Sequence, residues 1–524
     1  MAGAHQAMQA NPYQTGADFA AERGWWEHPA LIAALVVLAA VPLLYPEIPP
    51  LVDLFGHMGR YRVQLDIDSS PFLQEYYTFR WAAIGNLGVD LLVVPLRRLF
   101  GLEGAVKLVV VTIPPLTVAG FLLVAREVHG RIPPTALFAL PFSLSLPFLY
   151  GFVNFGLSMA LAFLAFALWL RLGRTGRTGL RALLFVPISI IIFFVHTYGW
   201  GALGLLCFSA EAVRLHDRGR PWLRAGIEGA LHALVMALPL LIMIGWRNEA
   251  HGSSFYGWFQ WKYKWEWVYS ALRDRWRLLD LGSLVVVALV ALFAIFSRKL
   301  AFSRNLAFSA LVLLAAFLLL PRIIFGSAYA DMRLVPYMMA VALIAIRFRR
   351  DWTGRTASVL AVIGLAFVAL RFGATTASLA ISGNEHRQRL QAIELLPRGA
   401  KVVTLVGRPC GKEWALPRNT HLGAMIIVRR HGFSNDQWVI EGANLLGLNY
   451  RNAGCFAADP SQMVQPNDCR RREYWPIDYS LRHLPRSGFD YVWLVDPLPF
   501  DEEFTRDMQL VWRGEGSILY RVRR

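Results

Sequence analysis

Apolar runs of roughly 16 to 22 residues recur from Ala30 to Ala380, and a helix of that length is what a hydrocarbon layer about 30 Å thick requires. A soluble chain of 524 residues would instead divide into several domains with polar faces. Composition agrees, with 56% hydrophobic and only 17% charged residues and a mean hydropathy of +0.41. The expected fold is mainly α: a polytopic transmembrane helical bundle of about 11 spans, followed by a C-terminal soluble α/β domain. The spans are placed near 30–46, 104–125, 134–150, 153–170, 182–196, 199–213, 227–246, 280–297, 306–324, 333–346 and 357–380.

Charge orients these spans. Every second connection is basic: Arg126 and Arg131; Arg171, Arg174, Arg177 and Arg181; Arg214, Arg218, Arg220 and Arg224; Arg298, Lys299 and Arg304; Arg347, Arg349, Arg350 and Arg355. The positive-inside rule puts that side in the cytoplasm. The net charge of +17 is thereby explained by loops that face headgroups, and no nucleic-acid partner is implied. Residues 1–22 hold no Lys or Arg, so the first run reads as an anchor rather than a leader. The expected organisation is an N-terminal cytoplasmic segment 1–29, a transmembrane domain 30–384 with a long first outer loop 46–103, and a periplasmic domain 385–524. Ile84–Phe100 is read as an in-plane or re-entrant helix, because Asp90 at the centre of a span would cost about 2.5–3.5 kcal/mol.

The first outer loop carries the residues with chemistry. Asp53 follows Pro49-Pro50 among Leu51, Val52, Leu54 and Phe55, and partial desolvation would make its carboxylate a better proton acceptor. If the chain is helical from Leu54, His57 and Arg60 share a face with it. Asp53 could equally cap that helix. Asp66-Ile67-Asp68 are candidate metal ligands, or simply acids in a solvated turn.

Later in the chain, His196 ends an apolar span at a turn without Lys or Arg, and Asp331 and Arg333 share another outer turn. Arginine suits a lipid phosphate because its planar fork donates two hydrogen bonds. The segment Trp246–Asp280 is crowded with Tyr256, Trp258, Trp261, Tyr263, Trp265 and Trp267, which reads as an interface belt with a secondary role in holding a sugar or lipid. In the tail, strand-like stretches at Lys401–Val406, Tyr491–Asp496 and Ser517–Val522 alternate with helix-like stretches such as Arg387–Leu396. Cys410, Cys455 and Cys469 allow one disulfide, most simply Cys455 with Cys469, although spacing does not choose the pair. No Gly-rich phosphate loop, zinc spacing or serine elbow is present.

The run Pro50-Leu51-Val52-Asp53-Leu54-Phe55-Gly56-His57-Met58-Gly59-Arg60, then Ser70-Pro71-Phe72-Leu73 and the stretch to Asn86 with Arg80-Trp81, resembles the GT-C superfamily of membrane glycosyltransferases. The resemblance implies an essential acid in the first outer loop, polyprenyl-phosphate-linked sugar donors, and often a C-terminal soluble domain. It makes Asp53 the catalytic candidate, with Arg62, Arg80, His57, Arg60, His196, Asp331 and Arg333 as candidates for substrate. The adjacent acidic pair of some relatives is missing. The expected activity is inverting transfer to a lipid, glycan or protein acceptor on the outer face of the bacterial inner membrane. No cofactor is required, unless Asp66 and Asp68 hold Mg²⁺ or Mn²⁺. The alternatives are a flippase or transporter of lipid-linked saccharide, and a non-catalytic scaffold for envelope glycan assembly.

Overall fold

The structure is a computed structural model that describes residues 23–247, 255–324, 328–349, 353–440 and 444–523. Arg350, one of the basic loop residues, and the stretch 248–254 of the aromatic segment lie outside the described residues, as do residues 1–22. Each of the expected apolar segments contains helix. Five helices are long and apolar enough to cross a membrane: Gly88–His129, Val153–Arg174, Thr178–Val195, Arg277–Phe296 and Arg355–Glu394. The pair Trp222–Met236 and Leu238–Gly245 would add a sixth, bent by 62° at Ala237. Thr197–Asp217 is 21 residues long but less apolar. The remaining segments are shorter, and proline accounts for one of them: Pro134, Pro141 and Pro147 keep 134–149 largely in the tighter 3-10 form. The expected count of about 11 is therefore not reached by length and composition alone.

Gly101, at φ +67°, divides the long helix Gly88–His129 where the sequence reading ended its in-plane piece. Asp90 lies in the first part and is fully buried. Its carboxylate is met by the Arg60 guanidinium at 2.9 Å and by Asn154 Nδ2, also at 2.9 Å. This pairing answers the cost expected for an isolated buried acid.

The tail forms a six-stranded mixed sheet, in the order Met508–Gly514, Ser517–Val522, Tyr491–Val495, Val402–Gly407, Met463–Gln465, Trp475–Pro476. The Val402–Gly407 and Tyr491–Val495 strands are parallel, whereas Ser517–Val522 runs antiparallel to the latter. Arg387–Leu396 is the end of a single helix, Arg355–Arg389, plus the short turn Gln391–Glu394. That helix runs straight through residue 384, where the sequence placed a domain boundary, because no proline interrupts it.

The first outer loop and the tail share structure. Tyr77–Phe79 pairs antiparallel with Leu446–Leu448, and Val63, Leu73, Tyr76 and Tyr77 enter the same apolar core as Val403, Leu405, Ile427 and Phe433. Close approach depends on two glycines of the Leu54–Asp66 helix. A Cβ on Gly56 would stand 2.6 Å from the Trp438 ring, and one on Gly59 would stand 2.7 Å from Gln437 Nε2. The disulfide joins Cys410 to Cys469, and Cys455 is free and exposed. This corrects the simplest pairing by spacing. Parallel pairing of Met463–Gln465 with Val402–Gly407 brings the chain after each strand to the same end of the sheet, so nearness in space overrides nearness in sequence.

Candidate active site

Asp53 stands just before the Leu54–Asp66 helix, and its carboxylate makes no capping bond to it. The backbone holds it from two directions: its N–H donates to the Tyr150 carbonyl at 2.9 Å, and its own carbonyl accepts from His57 N–H at 3.1 Å. The turn that supplies Tyr150 needs glycine at its next position. Gly151 sits at φ +95°, and a Cβ there would lie 2.7 Å from Asp53 N.

The Asp53 side chain, 16% exposed, looks into a cavity of about 1400 Å³. A second hollow, beside Phe55 and His386, holds about 10 Å³, room for little more than one water. Helical segments give the large cavity an apolar stretch, with Leu205, Ala316 and Leu320, and a polar stretch, with His57, Asn154, His196 and Arg333. The tail supplies the remaining wall, including Arg408, His421, Trp438 and Asp459.

No cation is bonded to Asp53 among the described residues. The imidazole of His421 stands nearby, with Nε2 at 3.8 Å from Oδ1. Burial first, and then the negative charge of Asp459, push the Asp53 carboxyl well above the ordinary range, while Arg333 opposes them. His57 packs against Trp438 with tilted rings, centroids 5.2 Å apart. Burial, and then the Arg60 charge, keep it well below its ordinary value, hence neutral.

Arg333 lies across the cavity. Its Nη1 lies 3.4 Å from His196 Nε2, and its guanidinium packs 4.5 Å from the Phe152 ring. The aromatic segment divides in two: Trp258, Phe259, Trp261 and Trp265 are exposed, whereas Tyr263 and Trp267 face the cavity with the Arg322 guanidinium 3.8 Å from the Tyr263 ring.

The candidates from sequence thus separate by position. Asp53, His57, Arg60, His196 and Arg333 line one cavity. Arg60 spends its charge on Asp90. Arg62 bonds Asp66 at 2.5 Å and the Val428 carbonyl at 2.9 Å, away from the cavity. Asp66 also takes Arg97 at 2.6 Å; burial alone would raise its carboxyl, but the two arginines hold it below its ordinary value. Asp68 and Arg80 are exposed. Asp331 does not pair with Arg333. It receives Lys264 Nζ at 3.3 Å and Trp267 Nε1 at 3.1 Å, and so ties the turn before Val335–Ile344 to the helix Trp261–Tyr269. Among the described residues no three His, Cys, Asp or Glu side chains are grouped to hold a metal ion, and Asp66 is already committed to two arginines.

No family model matches this chain, and no curated protein matches it. Among solved structures it is similar to ArnT from Cupriavidus metallidurans bound to undecaprenyl phosphate, at 13% identity and a TM-score of 0.48, and to the same protein in the apo state, at 15% and 0.46. Each likeness covers 94% of this chain and 97% of the other. Likeness at this level leaves the functional reading to the chain's own residues.

Sequence reasoning missed His421, Trp438 and Asp459. They lie more than 350 positions beyond Asp53, on irregular segments of the tail, where no local spacing ties them to the first loop. Together with Asp53 and Arg333 they line the same cavity.

Proposed function

We propose that this chain is a membrane glycosyltransferase that moves a sugar from a polyprenyl-phosphate donor to an acceptor hydroxyl on a lipid, glycan or protein, with inversion. The observation that carries this reading is Asp53: a largely buried carboxylate without a bonded cation, pushed above its ordinary range by burial, in a cavity large enough for two substrates. The cavity suits a donor that is apolar at one end and anionic at the other. Leu205, Ala316 and Leu320 would take the prenyl chain, and Arg333 the phosphate. Trp267 and Tyr263 offer stacking faces for a sugar.

In the reaction Asp53 removes the hydroxyl proton as the acceptor oxygen attacks the anomeric carbon. The bond from that carbon to the phosphate oxygen breaks on the opposite side, and the phosphate departs with the electron pair. Arg333 offsets the charge that grows on it. No step is routed through a metal, because the acids proposed from sequence to hold one do not fit. The basic loops support an orientation in which the cavity opens on the outer face of the inner membrane and the tail lies in the periplasm.

The test is transfer of radiolabelled sugar from a panel of polyprenyl-phosphate donors by the full-length protein in lipid nanodiscs, wild type against Asp53→Asn. Transfer by the wild type alone supports the reading. Equal transfer by a folded Asp53→Asn protein removes Asp53 as the base, and binding of polyprenyl phosphate with no transfer by either favours a flippase or scaffold.

A further inference from the structure

The tail brings an imidazole to the one carboxylate of the first loop that faces the cavity without a bonded cation. His421 is buried, 3% exposed, and its Nδ1 lies 3.0 Å from the Asp436 backbone carbonyl. A carbonyl only accepts, so Nδ1 carries the proton and Nε2 is left with a bare lone pair. That lone pair faces Asp53 Oδ1 at 3.8 Å. The ring is fixed from one side by Trp438, with centroids 4.3 Å apart, and Gly56 leaves the space in which Trp438 and His421 pack against the first-loop helix.

Asp459 completes the set. It lines the same cavity, and Gln462 Nε2 donates to its Oδ1 at 2.6 Å. Its negative charge acts on both Asp53 and His421. The charged and titratable groups around His421 are therefore Asp53 and His57 from the first loop, Asp436 and Asp459 from the tail, and Arg333 across the cavity.

We infer that His421 is a positioning residue for the base: it orients Asp53 and takes over, at Nε2, the proton that Asp53 removes from the acceptor, with Asp459 balancing the imidazolium so formed. This rests on the reading of Asp53 as the base. The proton moves from acceptor oxygen to Asp53, from Asp53 to His421, and from His421 to cavity water, so the pair returns to its starting state after each transfer. Hydrogen bonds of catalytic groups commonly tighten once substrate is bound, which closes the remaining ångström or so between 3.8 Å and bonding distance. The active site is then complete only with the tail docked on the first loop.

Two measurements on the full-length protein in nanodiscs test this. The first is the pH profile of transfer for wild type, His421→Ala, His421→Gln and Asp459→Asn. His421→Ala should lower kcat about 10- to 100-fold, leave KM for the donor nearly unchanged, and recover when imidazole is added; Gln, which cannot take a proton, should not substitute. An unchanged kcat overturns the inference, as does a loss that Gln restores or that imidazole does not. The second needs no transfer: ¹⁵N-histidine NMR, with His421 identified by its absence in His421→Gln. Removing a neighbouring carboxylate withdraws support for the imidazolium, so Asp53→Asn and Asp459→Asn should each lower the His421 midpoint. An unmoved midpoint overturns the coupling even if no donor in the panel is used. Failure of wild-type transfer with the midpoint shift intact overturns the substrate reading and leaves the Asp53–His421 pair standing.

Discussion

Asp90 and Asp53 belong to the same outer loop and are handled in opposite ways. Asp90 is sealed from water and bonded to Arg60 and Asn154 at 2.9 Å. The same treatment recurs where the tail docks: Asp274 receives Arg418 at 2.5 Å, and Asp280 receives Arg371 at 2.7 Å. It recurs again among the helices, where Glu211 takes Arg181 at 2.6 Å. Asp53 is given only an imidazole at 3.8 Å and a second acid nearby. Asp436, fully buried, also lacks a bonded cation and is held instead by Ser434 Oγ at 3.0 Å, but it does not line the cavity, whereas Asp53 does. A cavity carboxylate without a bonded cation is what the proposed base requires.

Exchanging each of these acids for its amide separates the two roles. Asp53→Asn should lower transfer by about 10²- to 10⁴-fold, the range of a lost general base, while the protein stays folded. Its stability should even improve at neutral pH. A carboxyl whose folded pKa lies above its unfolded value makes the folded state bind more protons, so stability falls as pH rises from the ordinary carboxylate range through the raised one. The amide removes that slope. Thermal melts of both proteins across pH 4 to 8, scored beside transfer, check both statements.

Asp90→Ala leaves Arg60 charged, buried and alone, and should cost about 3–5 kcal/mol. Its loss of transfer should follow its loss of folded protein. If a folded Asp90→Ala protein instead lost transfer as Asp53→Asn does, the division between paired and unpaired acids would fail. Denaturation in detergent with a fluorescence readout measures the first quantity.

The contrast also marks how much could be read from the sequence. Asp53, His57, His196 and Arg333 were legible because apolar runs and basic loops bring their turns to one side, and the structure lines one cavity with them. Asp66 and Arg62 were suggested by the same loop, but consume each other's charge at i,i+4 spacing. Asp331 fell beside Arg333 in sequence, yet helix geometry turns it toward Lys264. His421 and Asp459 could not be found, since their positions depend on two glycines, a shared strand pair and a common core joining residues several hundred positions apart. The tail was legible as a sheet, but not as the wall of a cavity.

The glycine notch gives a graded test of that wall. Gly56→Ala places a methyl against Trp438 and close to His421, so it should displace the tail slightly from Asp53 without touching either residue's chemistry. A several-fold loss of kcat, larger than the accompanying loss of stability, is the expected result. A matched Gly226→Ala change, in a helix where a Cβ meets nothing within 4 Å, should leave transfer unaltered. Equal effects at the two sites would show that helix propensity, rather than docking, is being measured.

The smallest effects are expected at the cysteines, and there the comparison is between a bridge and a bystander. Cys410 and Cys469 close a stretch separated by 59 positions, and such a bridge contributes about 2–4 kcal/mol, mainly by restricting the unfolded chain. Cys410 also lines the cavity, so the double change Cys410→Ser with Cys469→Ser should lower the melting temperature by several degrees and reduce transfer only in proportion to the loosened wall. Cys455→Ser, exposed and unbridged, should alter neither. A thiol count on the unfolded protein decides the pairing directly: with Cys207 buried and Cys455 free, two thiols react before reduction and four after it. Loss of the bridge in Cys455→Ser would restore the pairing suggested by spacing and detach the 410–469 connection from the cavity rim.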